Sequence, residues 1–94
     1  MTSIAKATIH IDNDRVIVTE YSFKPGDNTG WHRHGHDYVI VPITDGHVRL
    51  ETPSGPATDE MKKGVPYFRN ESVEHDVINA GDVELRFIEV EIRR

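Results

Sequence analysis

Short extended segments divided by turn-forming residues are the feature of this sequence that most limits its fold. No stretch of helical length repeats its apolar residues every 3.6 positions, so helices are not expected. Alternating or β-branched segments recur instead, and we expect strands over residues 7–11, 15–23, 31–34, 37–43, 47–51, 64–69, 75–78 and 84–92. Clusters of turn residues separate these segments, among them 12–14, 25–28 and 45–46. About eight short strands at this spacing predict an all-β domain, either a small antiparallel sandwich or a barrel.

Several parts of this pattern carry specific expectations about exposure. In the last strand, alternation predicts that Glu89 and Glu91 face solvent, while the core receives Ile88, Val90 and Ile92. The segment 52–63 contains two prolines, a glycine and mixed charges, so it is expected to be an exposed loop. Strand parity also places His10 and His47 on outer faces.

The composition bounds the class of protein. Ninety-four residues make one domain, spanning 1–94, and 36% hydrophobic with 29% charged residues suits a globular chain better than a disordered one. No apolar run approaches the roughly 20 residues of a membrane helix and no leader opens the chain, so we expect a cytoplasmic protein. There are no cysteines, so any metal must be bound through nitrogen and oxygen. The net charge of −5 argues against nucleic acid as a partner.

Histidines at alternate positions mark the stretch 26–46. In an extended strand alternate side chains leave the same face, so His32 and His34 can direct two imidazoles at one point, with Asp37 close behind. Imidazole and carboxylate groups that converge on one spot are typical ligands of a divalent metal. A histidine-rich surface turn would give the same pattern, while the mid-chain position argues against an expression tag. Taken alone, the stretch is equally compatible with a metal site and with such a turn.

Two spaced motifs resemble those of the cupin superfamily. In the first, Gly26 is followed by five residues and then by His32-x-His34. The second starts at Gly64 and keeps the family's spacing through Asn70, Ser72, His75 and Asn79. Asparagine and serine stand at the first two of these positions, where the family has proline and glycine. The resemblance implies a small single-domain cupin, a jelly-roll barrel or double-stranded β-helix. The sequence around the motifs resembles that of a bacterial subgroup linked to β-alanine catabolism.

One departure from the family pattern concerns the glutamate of the first motif. Its slot follows the second histidine after three or four residues. The family has six residues between this slot and the glycine, so with Gly46 as that glycine the slot falls on Val39, which cannot bind a metal. A turn before Gly46 that is two residues longer than usual would move Asp37 into the slot. We favour this register because burying Asp37 beside imidazoles without a metal would be costly. Pairing His34 with His36 breaks the five-residue spacing, which leaves His36 either at the pocket mouth or in solvent.

The resemblance implies a metal centre within the barrel mouth, whose ligands are His32, His34, Asp37 and His75. Three imidazoles and one carboxylate suit Fe(II), Mn(II), Ni(II), Cu(II) or Zn(II), and the ligand set does not choose among them. Such a set leaves coordination positions open for water or a small-molecule ligand. Asn79 could bond a turn or serve the site. Tyr67 and Arg69 could contact a substrate carboxylate, although an ordinary surface pair is favoured.

These features favour a metal-dependent enzyme, of oxygenase, isomerase or hydrolase type, acting on a small polar metabolite of the carboxylate class. The alternatives are a non-catalytic cupin that binds a small molecule and a metal, and a barrel whose histidines take up metal adventitiously. The sequence does not identify the substrate. A homodimer is expected because small β-domains expose strand edges. Trp31, which alternates with His32, is expected on an outer face beneath the N-terminal strand or a second subunit.

Overall fold

The computed structural model describes residues 3–93, a range built from strands and turns without a helix. Its nine strands are β1 (Lys6–Asp12), β2 (Val16–Phe23), β3 (His32–Arg33), β4 (Asp37–Pro42), β5 (Gly46–Thr52), β6 (Gly55–Met61), β7 (Tyr67–Arg69), β8 (Glu74–Asn79) and β9 (Leu85–Ile92). In this range no helix is therefore available that could cross a membrane. The all-β prediction is confirmed.

The strands form two sheets in which every paired neighbour runs antiparallel. The first sheet has the order β1-β2-β9-β4-β7 and the second has the order β3-β8-β5-β6. Their inner faces share one hydrophobic core, which includes Phe23, Leu85 and Phe87 from the first sheet and Val48 and Val77 from the second. The order of the strands and their shared core confirm the antiparallel jelly-roll barrel.

The expected loop over residues 52–63 is instead mostly a strand. β6 pairs with β5 along its whole length, from Thr52 opposite Gly55 to Gly46 opposite Met61. Most of β6 is exposed, because it lies at the edge of its sheet. An edge strand needs no apolar alternation and tolerates a proline such as Pro56, so the composition of this segment hides its conformation. Main-chain pairing with β5 decides the structure here, and the expectation of a loop was wrong.

The two faces of β9 are the reverse of those expected. Leu85, Phe87 and Glu89 are buried, whereas Ile88 and Val90 are partly exposed and Ile92 lies on the surface. Leu85 and Phe87 belong to the hydrophobic core and set the parity of the strand, so Glu89 and Glu91 follow them onto the inner face. Both faces of β9 carry apolar residues, which is why alternation alone did not distinguish them.

Asn79, the last position of the second motif, is a structural residue. It is 2% exposed and its side chain makes three main-chain hydrogen bonds. Nδ2 donates to the carbonyls of Phe23 and Val83 at 3.2 and 2.9 Å, and Oδ1 accepts from the amide of Gly81 at 3.0 Å. These bonds join the end of β2 to the turn between β8 and β9. Of the two roles left open for Asn79, the structure supports the turn-bonding one.

Replacing Asn79 with alanine should therefore lower the free energy of unfolding by about 2–4 kcal/mol, because buried main-chain groups lose their partners and a cavity is left. Urea denaturation followed by fluorescence would measure this loss. Asn70→Ala, at an exposed motif position, is the matched control and should change stability by less than about 0.5 kcal/mol. Equal stability of the two variants would contradict the structural role.

Candidate metal centre

Three histidines from the two motifs meet at one end of the barrel. His32 on β3 lies directly opposite His75 on β8, and His34 follows immediately after β3. The Nε2 atom of His34 lies 3.0 Å from that of His32 and 3.1 Å from that of His75. Three ring nitrogens thus face one another within a group that could hold a metal ion.

Main-chain bonds between the motifs position His34. Its amide donates to the Val73 carbonyl at 2.9 Å, and its carbonyl accepts from the Ser72 amide at 2.7 Å. Ser72 has φ of 70°, a left-handed conformation that favours glycine. The family has glycine at this position of the second motif, and the backbone of this turn gives the physical reason. The turn before β8 therefore sets the distance between His34 and His75.

The tautomer of His32 follows from its hydrogen bonds. Its Nδ1 lies 2.9 Å from the Gly30 carbonyl, which can only accept, so Nδ1 carries the proton and Nε2 keeps its lone pair. Asp76 holds the loop that supplies this carbonyl, because its carboxylate accepts from the Gly30 amide at 3.1 Å and from Nδ2 of Asn28 at 3.0 Å. Such outer contacts fix the orientation of a metal-binding imidazole.

Burial keeps two of the imidazoles neutral. Removal from solvent, followed by the charges of His32 and His75, lowers the pKa of His34 to about 3. Burial also lowers the pKa of His75 to about 4, with His32 and then Arg69 adding to the effect. At neutral pH both rings are therefore unprotonated, which is the form that binds metal.

The structure does not bring Asp37 into this group of histidines. Asp37 begins β4 opposite Ile92, on the same side of the strand as Val39, and that side faces away from the cavity. Its Oδ1 accepts from the amide of Glu71 at 2.8 Å, so a main-chain bond accompanies its burial. The register that we favoured moves Asp37 toward the imidazoles, and strand parity here points it the other way.

Tyr38 stands at one of the two positions that the family spacing allows for its glutamate. It follows His34 after three residues, which is the shorter of the two family spacings, and it faces inward. Its ring stacks on that of His34, with centroids 3.8 Å apart and planes inclined by 17°. Tyr38 was not predicted as a site residue, because the spacing from Gly46 places the glutamate slot on Val39. Counting forward by three residues would have found it.

Carboxyl groups reach the site from β9, which was expected to turn them to solvent. Ligand atoms of His34, Glu89 and Glu91 lie within 4.8 Å of one another. Burial and the neighbouring charge of Glu91 raise the pKa of Glu89 to about 8. Glu91 also lies 3.4 Å from Nδ1 of His36, whose side chain is 35% exposed. His36 is thus a partly exposed neighbour of this acidic pair and does not belong to the group of three histidines.

The three histidines border a cavity inside the barrel. All three tyrosines of the chain line it, namely Tyr21, Tyr38 and Tyr67. Arg69 lines it too, with its guanidinium 4.4 Å from the centre of the Tyr67 ring and 3.6 Å from Asp59. Tyr67 and Arg69 therefore both border the cavity, whereas the favoured expectation was an ordinary surface pair.

The remaining histidines lie outside the site. His10 and His47 are exposed and approach Glu20 and Glu60 at 3.0 and 3.3 Å. Their placement on outer faces is as predicted. Trp31 also points away from the cavity and is 52% exposed, so its own chain covers only part of it.

The sequence and the fold of this chain are similar to those of known proteins. No family model matches the chain. The "Beta-alanine degradation protein BauB" of Pseudomonas aeruginosa is 54% identical over 89 residues, which is 95% of this chain and 94% of that protein. The crystal structure of a cupin domain from Bordetella pertussis Tohama I matches with a TM-score of 0.97 and 52% identity, covering 100% of this chain and 98% of that one. An RmlC-like cupin from Methanocaldococcus jannaschii, at a TM-score of 0.80 and 16% identity over 95% of this chain and 80% of its own, shares the fold.

The pKa shifts predict how the metal-free protein responds to pH. Unfolded histidine takes up a proton near pH 6.5, whereas folded His34 and His75 do so only near pH 3 and 4. Below pH 6.5 the unfolded chain binds more protons, so the free energy of unfolding should fall by up to about 1.4 kcal/mol per pH unit for each histidine. Glu89 acts in the opposite sense, since its raised pKa makes stability fall as the pH rises from 4.5 to 8.

Urea denaturation between pH 4.5 and 8 in the presence of chelator would test this response. His75→Gln should flatten the acid side of the stability curve, and Glu89→Gln should flatten the side toward pH 8. Curves that keep the wild-type slopes in both variants would contradict the assigned environments.

Proposed function

Because this chain belongs to the cupin superfamily, in the group of the β-alanine degradation protein BauB, we propose that it is a metal-dependent enzyme acting on a small carboxylate metabolite. The observation that carries the proposal is the convergence of the Nε2 atoms of His32, His34 and His75. The relative's name suggests that the metabolite belongs to β-alanine degradation. A cytoplasmic location, expected from the sequence, stays a prediction.

The donor set fits a divalent transition metal. Metal–imidazole bonds are about 2.0–2.1 Å long, so two nitrogens at right angles around one ion lie roughly 3.0 Å apart. The observed separations of 3.0 and 3.1 Å agree with this value. Three neutral nitrogen donors suit Fe(II), Mn(II), Ni(II), Cu(II) or Zn(II). When bound, such a metal supplies a Lewis acid or a redox centre.

The chain's own residues would prepare the cavity for chemistry. Tyr38 stacks on His34 and restricts the rotation of its ring, while the Gly30 carbonyl orients His32. Glu89, with a pKa raised to about 8, can both hold and release a proton near neutral pH. It is buried close to His34, so it is our candidate for proton transfer to a ligand beside the three histidines.

Metal titration of two variants would test the centre. His75→Ala removes a direct ligand and should weaken metal binding by more than about 100-fold, beyond the 10–100-fold typical of a lost supporting contact. Asp37→Asn should leave the affinity within about threefold of the wild type, because the Asp37 side chain faces away from the imidazoles.

The wild-type protein for this experiment would be purified without a nickel column, and its metal content would be measured directly. His47→Ala is the control for loss of an exposed histidine and should retain the metal. Chelator should lower the melting temperature of the wild type, since bound metal stabilises the folded state. Equal metal loss from Asp37→Asn and His75→Ala would restore Asp37 as a ligand. Turnover of a panel of small carboxylates would then separate an enzyme from a non-catalytic binder.

We also propose that the protein forms a homodimer through the outer face of its first sheet. One apolar residue from each strand forms an unbroken row across this face, in the order Ile11, Val18, Val90, Val39 and Phe68. The residues at its two ends, on β1 and β7, are 46% and 50% exposed. Nearby charged groups already pair within the chain, Glu20 with Arg86 and Asp12 with Arg93. The row therefore suits an equally apolar surface, which a second copy offers around a twofold axis.

Phe68→Lys should weaken this dimer at least about tenfold, because it places a charge in the apolar contact. Sedimentation at micromolar concentration would measure the association. Val65→Lys is the matched control, since Val65 is similarly exposed but lies outside the row. A monomeric wild type, or equal effects of the two variants, would count against this interface.

A further inference from the structure

The cavity contains a polar atom that the rest of the fold leaves unused. Tyr38 is 2% exposed, and its hydroxyl oxygen is buried with no hydrogen-bond partner anywhere in residues 3–93. Leaving a hydroxyl in this state costs about 1–3 kcal/mol, and buried polar groups without partners are rare in folded proteins. Phenylalanine would fill the same space and stack on His34 without this cost. A ligand in the cavity that accepts its hydrogen would remove this cost.

The strand register shows which charged groups flank this hydroxyl. Within the first sheet Tyr38 lies directly opposite Arg69 on β7 and directly opposite Glu91 on β9. The next inward-facing row along the sheet contains Tyr67, Ile40 and Glu89 in the same order. Adjacent strands lie about 4.8 Å apart, so the cationic and acidic sides of Tyr38 are separated by roughly 10 Å. The inner face is thus positive toward β7 and acidic toward β9.

The two donors on the β7 side suit an anionic oxygen. A phenol is protonated at neutral pH and can donate, and a guanidinium is always charged and offers several N–H groups. Arg69 lies 3.6 Å from Asp59, which is longer than a good hydrogen bond, and both side chains are a little over 40% exposed. Nη1 donates to the Phe68 carbonyl at 2.9 Å, whereas Nη2, which in the described part of the chain is engaged only by this weak ion pair, can bind a stronger acceptor at the cavity wall.

The other residues of the cavity restrict what kind of anion can enter. Asp59 borders this cavity and Glu91 borders the adjoining one beside His34, and their carboxylates would repel a doubly charged group such as phosphate more than a singly charged one. Much of the remaining wall is apolar and suits a short hydrocarbon segment, being formed by Ile40, Val48, Leu50, Met61, Val77 and Phe87. A small monocarboxylate satisfies both conditions.

We propose that the Tyr38 hydroxyl and the Arg69 guanidinium form a carboxylate-binding subsite inside the barrel. The carboxylate of Glu91, opposite Tyr38 on β9, orients the ligand, because it repels the ligand's carboxylate and directs it toward β7. The rest of the ligand then lies beside the three histidines, since Tyr38 stacks directly on His34. This subsite deepens the proposed function and rests on it for the identity of the reacting centre.

Titration with propionate, followed by NMR, would test the subsite in the full chain as purified. Tyr38→Phe removes only the hydroxyl and should weaken propionate binding by about 10–100-fold, the size expected for a hydrogen bond to a charged group. Propionamide has the same shape without the charge, and its weaker binding should change little in the variant. Inorganic phosphate at the same concentration should not displace propionate.

Arg69→Gln provides a second variant at a partly exposed position, which keeps the test valid if Tyr38→Phe folds poorly. It should weaken propionate binding by a similar factor. Arg49→Gln is the matched control, since Arg49 is exposed on β5 and pairs with Glu51 at 2.9 Å. This control should bind propionate as the wild type does.

Undetectable propionate binding, equal binding by wild type and Tyr38→Phe, or equal loss from Arg49→Gln would overturn the subsite. Displacement of propionate by phosphate would overturn its restriction to monocarboxylates. Metal content measured on the same samples separates failure of the carboxylate subsite from failure of the metal centre. Propionate binding that depends on Tyr38 in a wild type that takes up no metal would overturn the proposed enzyme while supporting the subsite.

Discussion

The pairing of β3 with β8 is the interaction on which the site depends. β3 is only two residues long, so its own ladder cannot hold it in place. Main-chain hydrogen bonds on either side complete the attachment. The amide of Thr29 donates to the carbonyl of Val77 on one side, and on the other the amide of His34 donates to the carbonyl of Val73 and the amide of Ser72 donates to the carbonyl of His34. Each contributes about 1 kcal/mol net, and together they bring two distant motifs into a fixed register. The fold itself therefore holds the imidazoles in position, which lowers the entropic cost of binding a metal.

The end of the barrel that this pairing creates gathers polar groups whose burial carries an electrostatic cost. His34 and His75 are held neutral, Glu89 has a raised pKa beside Glu91, and the hydroxyl of Tyr38 has no partner in the described chain. Perturbed titratable groups gathered in one cavity are characteristic of functional sites. The opposite end of the barrel, packed with Phe23, Leu85 and other apolar side chains, supplies the burial that offsets these costs.

Strand parity explains both what the sequence predicted well and where it misled. His32 and His34 share a face because they are two residues apart, and the motif spacing correctly associated them with His75. Parity failed for Glu89 because the apolar residues on both faces of β9 fit either assignment until the core packing of Leu85 and Phe87 chose one. On β4, strand parity likewise turns Tyr38 inward and Asp37 outward. The cavity therefore has a phenol where the motif led us to expect a carboxylate.

The sequence by itself determined the all-β class, the positions of most strands and the three histidines, because these follow from local alternation, turn residues and short-range spacing. Only the tertiary structure decided that residues 55–61 form an edge strand, since that depends on main-chain pairing with β5 and leaves little apolar signature. Only the tertiary structure decided the neighbours of the histidines as well. Tyr38, Arg69 and Glu89 come from three different strands, and their juxtaposition is a consequence of sheet order and register, which no local pattern encodes.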